Sequence, residues 1–152
     1  MTHRSMLTVT CAIIEAGDLV LAAQRGSAMD LPHHWEFPGG KVQSGETYAD
    51  CIVREIKEEL NLVIQVLSRF AENHWEQPEG SLRLISFRCR YCGGEPILSE
   101  HARIAWLQPR DLPSLVWCPA DIPIVEAYVK TVSDKESSLC STNRPSREEP
   151  LS

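Results

Sequence analysis

The chain has 152 residues, 43% of them hydrophobic and 24% charged, which suits one ordinary globular domain and excludes collagen-like, coiled-coil and wholly disordered classes. Fifteen Lys and Arg against 21 Asp and Glu give a formal net charge of −6, so the broad basic footprint of a nucleic-acid-binding protein is missing and a nucleic-acid polymer is not expected as a partner. A small phosphorylated ligand is compatible with this charge, because clustered acids hold divalent metal and the metal meets phosphate.

Residues 7–14 and 19–23 are apolar and partly β-branched, and Ala16, Gly17 and Asp18 between them supply turn chemistry, so a β-hairpin is predicted first. The first run is too short to span a membrane and is followed by Glu15 rather than a small-residue cleavage site. The six cysteines are therefore expected as thiols in a reducing compartment, and the protein as cytoplasmic with no membrane partner. Residues 31–45 carry two prolines and three glycines and predict an irregular loop. Ala49, Ile52, Val53, Ile56 and Leu60 then follow helical spacing, with Thr47 as N-cap and Asp50 three residues on.

Strands are predicted over 62–70, 82–91 and Arg103–Leu107, the middle one by the alternation of Ile85, Phe87, Cys89 and Tyr91. Cys89 and Cys92 face opposite sides of such a strand, and Cys118, Cys140 and His101 are isolated in sequence, so no zinc site is expected. A second helix starts near Asp121, with Pro123 in its first turn and Ile124, Val125, Tyr128 and Val129 on one face. Residues 133–152 are mostly Ser, Pro and charged, which predicts a disordered tail after a domain of residues 1–132. Strands alternating with helices and hairpins predict an α/β fold, a mixed sheet with helices on both faces.

The first helix carries an acidic stripe that local stability does not explain. With Ala49 at zero and about 100 degrees per residue, the apolar residues gather within roughly 60 degrees of zero, while Glu55, Glu58 and Glu59 form a separate acidic arc. Glu55 with Glu59 and Glu55 with Glu58 are like-charge neighbours, each costing on the order of 0.2–0.5 kcal/mol. Glu58 and Glu59 also occupy the last turn, where the macrodipole favours cations. A divalent cation turns these penalties into coordination. Just before the helix, Gly39, Gly40 and Lys41 offer exposed backbone groups and a point charge suited to phosphate, which together suggest polyphosphate bound through metal and hydrolysed by metal-activated water.

Gly40, five residues, Glu46, seven residues, then Arg54, Glu55, Ile56, Lys57, Glu58, Glu59, Leu60, Asn61 and Leu62 resemble the Nudix box of the Nudix hydrolases. The one departure is Asn61, where the family usually has glycine; Asn is the commonest other residue able to take the left-handed conformation there. Gln24, Arg25, the run of residues 35–41, Glu100, Trp106 and residues 119–123 extend the resemblance to the MutT branch over residues 8–130. The resemblance implies the Nudix fold, an α/β/α sandwich, and Mg2+-dependent hydrolysis of a nucleoside triphosphate to monophosphate and diphosphate, with Mn2+ as a substitute ion. It implies that Glu55, Glu58, Glu59, the Gly40 carbonyl and Glu100 ligate metal, with Glu100 alternatively the base. Arg54 and Glu46 would hold the catalytic glutamates, and Arg25 and Lys41 would contact phosphates.

Phe37 either offers a ring face to the base or is a buried core residue, and Asp121 either reads the base or caps the last helix. In MutT-type enzymes acting on oxidised guanine the matching position can be Asn; an ionised Asp only accepts hydrogen bonds, which favours bases that present N–H groups. Oxidised guanine (8-oxo-dGTP) and cytosine nucleotides (CTP, 5-substituted dCTP) are the expected substrates, in a monomer or homodimer. Two other readings compete. Hydrolysis of ADP-ribose, NADH or dinucleoside polyphosphates calls for added segments that this sequence does not show, and a non-enzymatic nucleotide sensor has no need of an intact carboxylate set.

Overall fold

The computed structural model describes residues 5–148, with side chains described through residue 136. Its strands are β1 (Ser5–Ala16), β2 (Leu19–Gln24), β3 (Trp35–Glu36), β4 (Gly39–Lys41), β5 (Val63–Gln77), β6 (Gly80–Gly93) and β7 (Arg103–Leu107), with helices α1 (Tyr48–Leu60) and α2 (Ile122–Glu148). They form one sheet in the order β3-β2-β1-β6-β5, with β4 paired to β1 and β7 to β2. The sheet is mixed: β1 and β6 run parallel from the Ser5–Gly80 pair to the Glu15–Arg90 pair, and the other pairings are antiparallel.

Strand alternation divides the core into two layers. Cys11 and Ile13 of β1, Val20 and Ala22 of β2 and Leu84 of β6 face Ile124, Val125 and Tyr128 of α2. Their neighbours Ala12, Ile14, Leu21, Ala23, Ile85, Phe87 and Cys89 face Ile52, Ile56 and Leu60 of α1. The predicted α/β/α sandwich is therefore the observed one, and Cys89 is buried while Cys92 is exposed, as period-two alternation requires.

Four local expectations differ from the structure. The loop predicted over 31–45 contains β3 and β4, because Pro32 and Pro38 leave room for short pairings whose partners lie in β1 and β2. Gly39 is needed there, since a Cβ would overlap the Thr10 carbonyl. The strand predicted over 62–70 runs on to Gln77 and turns directly into β6; its second half is polar because one edge of the sheet faces solvent. Val53, placed on the apolar face of the first helix, is 38% exposed, and Cys51 is buried instead. Beyond residue 132, where composition predicts a disordered tail, the helix α2 continues to Glu148, and residues 149–152 lie outside the described residues. Asp134, Lys135 and Glu136 are compatible with a solvated helix, and Lys130 and Asp134 lie 3.5 Å apart one turn from each other. Among the described residues no helix is long and apolar enough to cross a membrane.

Candidate active site

The geometry of α1 is set at both ends. Thr47 Oγ1 accepts the Asp50 N–H at 3.0 Å, the predicted N-cap. At the other end Asn61 takes φ 60 and ψ 30, the left-handed cap, and donates its N–H to the Lys57 carbonyl at 3.0 Å. Between them the buried face of α1 turns Arg54, Glu55, Glu58 and Glu59 toward β4 and the loops beside it.

Arg54 organises the first group. Its Nε donates to Glu46 at 2.6 Å, and its two terminal nitrogens donate to Glu46, Glu55 and Glu58, each at 3.0 Å, and to the Lys41 carbonyl at 3.3 Å. The guanidinium holds the Glu46 carboxyl low, at about 2. The planar fork explains why Arg rather than Lys fits: one flat cation spans three carboxylates. Gly40 lies against Glu55 so closely that a Cβ there would overlap the carboxylate. Gly40 is held opposite Thr10 by the β1–β4 pairing, and Thr10 Oγ1 and Cys51 Sγ also approach its carbonyl, at 3.4 and 3.8 Å.

Glu59 is the strained member of the site. Burial, then the negative charges of Glu55, Glu36 and Glu100, push its carboxyl up to about 8, and its Oε1 is enclosed without a hydrogen-bond partner among the described residues. Glu55 of α1, Glu36 of β3 and Glu100 of the loop before β7 are thus the acids near enough to act on Glu59. Glu36 is the centre of a second network: Oε1 accepts from Arg25 at 2.7 Å and Oε2 contacts His101 Nε2 at 2.7 Å. Arg25 also donates through Nε to the Asp30 carbonyl. Lys41 is exposed at the end of β4, beside Gly40.

Arg25 and Glu36 also form one edge of a cleft of about 300 Å³ lined by Phe37, Trp75, Leu82 and Asp121. Phe37 is 3% exposed and its ring stacks at a tilt on Trp117, with centroids 4.9 Å apart. Asp121 sits where α2 begins, yet its Oδ2 accepts the Phe37 N–H at 2.9 Å, so this carboxylate joins the cleft to β3. Burial, more than the nearby charge of Glu36, pushes its carboxyl up to about 7. A larger cleft of about 400 Å³ between the β1–β2 turn and α2 contains none of the predicted site residues.

Among the described residues no three His, Cys, Asp or Glu side chains close into a metal-ligating arrangement. Arg54 instead draws Glu55 and Glu58 to itself, while Glu59 is half-buried with its Oε1 enclosed. The donor chemistry nevertheless suits a hard divalent cation: every candidate atom is oxygen, and the unpaired Glu59 Oε1 is an acid atom that lacks a cationic partner.

Residues 4–128 match the family described as "NUDIX domain". The chain belongs to the Nudix family. Among its relatives are "CTP pyrophosphohydrolase" of Escherichia coli (strain K12), 33% identical over 124 residues that cover 82% of this chain and 92% of the relative. Another is "8-oxo-dGTP diphosphatase" of the same organism, 28% identical over 106 residues, covering 70% and 82%. The solved MutT protein of methicillin-resistant Staphylococcus aureus 252, described as a family Nudix hydrolase, is 38% identical and superposes with a TM-score of 0.70 over 85% of this chain and 99% of that one. This protein is a MutT-type Nudix hydrolase. Nudix hydrolases generally use divalent metals, usually Mg2+.

Within this Nudix fold Arg54 brings Glu46, Glu55 and Glu58 of the box together, and two contacts beside them, at Glu36 and His101, were not expected from sequence. Glu36 lies inside the run of residues 35–41 that carried the resemblance, so its position was visible although its bridging contacts were not. His101, isolated in sequence, is buried on Glu36 across 65 residues of chain. Nothing local to it signals that contact.

Proposed function

We propose that this Nudix hydrolase cleaves nucleoside triphosphates to monophosphate and diphosphate with Mg2+, for which Mn2+ substitutes. The observation that carries the reading is Glu59: a half-buried carboxyl whose Oε1 is enclosed without a partner among the described residues, near the acids Glu55, Glu36 and Glu100, of which Glu36 also lines the cleft that contains Phe37. Glu55, Glu58, Glu59, Glu100 and the Gly40 carbonyl would hold the cation. Bound there, Mg2+ neutralises polyphosphate charge and lowers the pKa of a water molecule.

The chain's own groups do the rest. Arg54, locked on Glu46, fixes the orientation of Glu55 and Glu58. A glutamate of the set accepts the proton of the attacking water, the P–O bond to the leaving diphosphate breaks, and Arg25 and Lys41 meet the phosphate oxygens. Phe37 supports the base, and Asp121 reads it. Ionised, Asp121 accepts from the cytosine amine or the guanine N1 and N2 edge; protonated, it donates to a base carbonyl. With a carboxyl titrating at about 7, both forms are present near neutral pH. Cytosine nucleotides and oxidised guanine nucleotides are therefore the proposed substrates, a choice also supported by the named activities of the two relatives.

The test is a panel of normal, oxidised and 5-substituted nucleotides with Mg2+, scored by kcat/KM and by product. Diphosphate and a nucleoside monophosphate are expected from at least one cytosine or oxidised-guanine nucleotide. Orthophosphate as the sole phosphate product contradicts the proposal.

A further inference from the structure

The loop that carries Glu100 is tied down on either side of it. Toward the N-terminus, Ile97 N–H donates to the Leu60 carbonyl at 3.0 Å and Ser99 N–H to the Glu59 carbonyl at 3.2 Å, so the chain is anchored to the end of α1. Toward the C-terminus, Ala102 N–H donates to the Gln24 carbonyl at 2.8 Å, which anchors it to β2. Glu100 and His101 bridge these anchors. Glu100 is exposed, whereas the His101 side chain is 1% exposed and is held by Glu36 at 2.7 Å. The remaining restraint is Gly26, whose Cα lies so close to the Glu100 carbonyl oxygen that a Cβ would overlap it.

His101 is held at one nitrogen only. Its Nδ1 is buried without a hydrogen-bond partner among the described residues, and leaving such an atom unpaired costs about 1–3 kcal/mol. A side chain serving packing alone is better filled at this place by an apolar residue of similar size. What an apolar residue lacks is the bond to Glu36, which is itself fixed by Arg25.

We infer that His101 is a positioning residue: pinned to Glu36, it sets the backbone of the adjacent Glu100 so that this carboxylate faces Glu55 and Glu59. The inference rests on the proposed role of Glu100 in the hydrolysis. The Arg25–Glu36–His101 chain thereby joins the edge of the nucleoside cleft to the acid cluster, and Gly26 clears the space in which the Glu100 backbone lies.

The full-length protein is compared with His101→Ala, His101→Gln and Gly26→Ala on the best nucleotide of the panel, with melting temperature and the 15N order parameter of the Glu100 amide measured alongside. Gln places its amide nitrogen where His Nε2 stands, so it keeps the bond to Glu36. His101→Ala and Gly26→Ala are expected to lower kcat about 10- to 100-fold while KM stays within about 3-fold, and His101→Gln to recover kcat to within about 3-fold of the parent. The Glu100 order parameter is expected to fall from the rigid value of about 0.85 in His101→Ala and to return in His101→Gln. Unchanged kcat per folded molecule in His101→Ala, or a fall in melting temperature and kcat that Gln does not rescue, overturns the inference. If the parent protein hydrolyses no nucleotide, the proposed function has failed, and the order parameter alone decides: a rigid Glu100 amide in His101→Ala overturns the positioning role.

Discussion

Asp121→Asn isolates the energetic cost of the buried carboxyl that accepts the Phe37 N–H. Asp121 is 6% exposed, and its carboxyl is raised from 3.8 to about 7. Below pH 3.8 native and unfolded chains both carry the proton, so the group contributes no difference. Between 3.8 and about 7 the unfolded chain loses the proton while the native one keeps it, and stability falls as pH rises. At 1.36 kcal/mol per pH unit, the whole rise corresponds to about 4 kcal/mol, nearly all of it lost above pH 7. Asn carries no charge, and its oxygen accepts the Phe37 N–H as Asp121 Oδ2 does. Urea unfolding of both proteins at pH 5 and pH 8 measures the difference, in which every other titrating group cancels. On going from pH 5 to pH 8 the parent is expected to lose about 2–3 kcal/mol relative to Asp121→Asn. Parallel pH dependence in the two proteins refutes the argument, because it means that Asp121 titrates in the native state as it does unfolded.

Glu59→Gln removes a carboxyl that burial and three neighbouring acids destabilise when charged, so without metal at pH 8.5 it is expected to unfold at higher urea by on the order of 1–2 kcal/mol, while activity falls at least about 100-fold. A melting temperature at or below that of the parent at this pH contradicts the first half. Arg54→Lys leaves a cation but not a fork that spans Glu46, Glu55 and Glu58, so kcat is expected to fall about 100-fold with no rescue relative to Arg54→Ala. Comparable kcat in Arg54→Lys and the parent argues that charge alone suffices. Asn61→Ala puts a Cβ residue without a stabilising side-chain bond in the left-handed cap and is expected to cost about 1–2 kcal/mol in thermal or urea unfolding; Asn61→Gly is expected to cost less, and equal losses contradict the capping account.

What the sequence disclosed follows from the range of each contact. Thr47 and Asn61 act within a turn of their own helix, so their capping roles are written in the spacing that also shows the acidic arc. The alternation of Ile85, Phe87 and Cys89 likewise fixes which face of β6 meets α1. The second half of β5 was hidden because a polar edge strand has no alternation to display, and β3 and β4 because their two or three residues pair with strands far along the chain. The same distance hid the site's connections. Phe37 meets Asp121 across 84 residues, and His101 meets Glu36 across 65, so the ionisation of Asp121 and the burial of His101 emerge only when the sheet has brought these segments together.

On the proposed function, a divalent cation resolves the charge conflict around Glu59. Calorimetric titration of the metal-free protein with Mg2+ at pH 7, in two buffers of different ionisation enthalpy, measures both ion uptake and the protons displaced. Binding with release of about one proton is predicted, because a carboxyl titrating at about 8 is mostly protonated at pH 7 and must lose its proton to ligate. Glu59→Gln should abolish that release. No detectable uptake of Mg2+ by the parent protein, with or without a non-hydrolysable nucleotide analogue, contradicts the account.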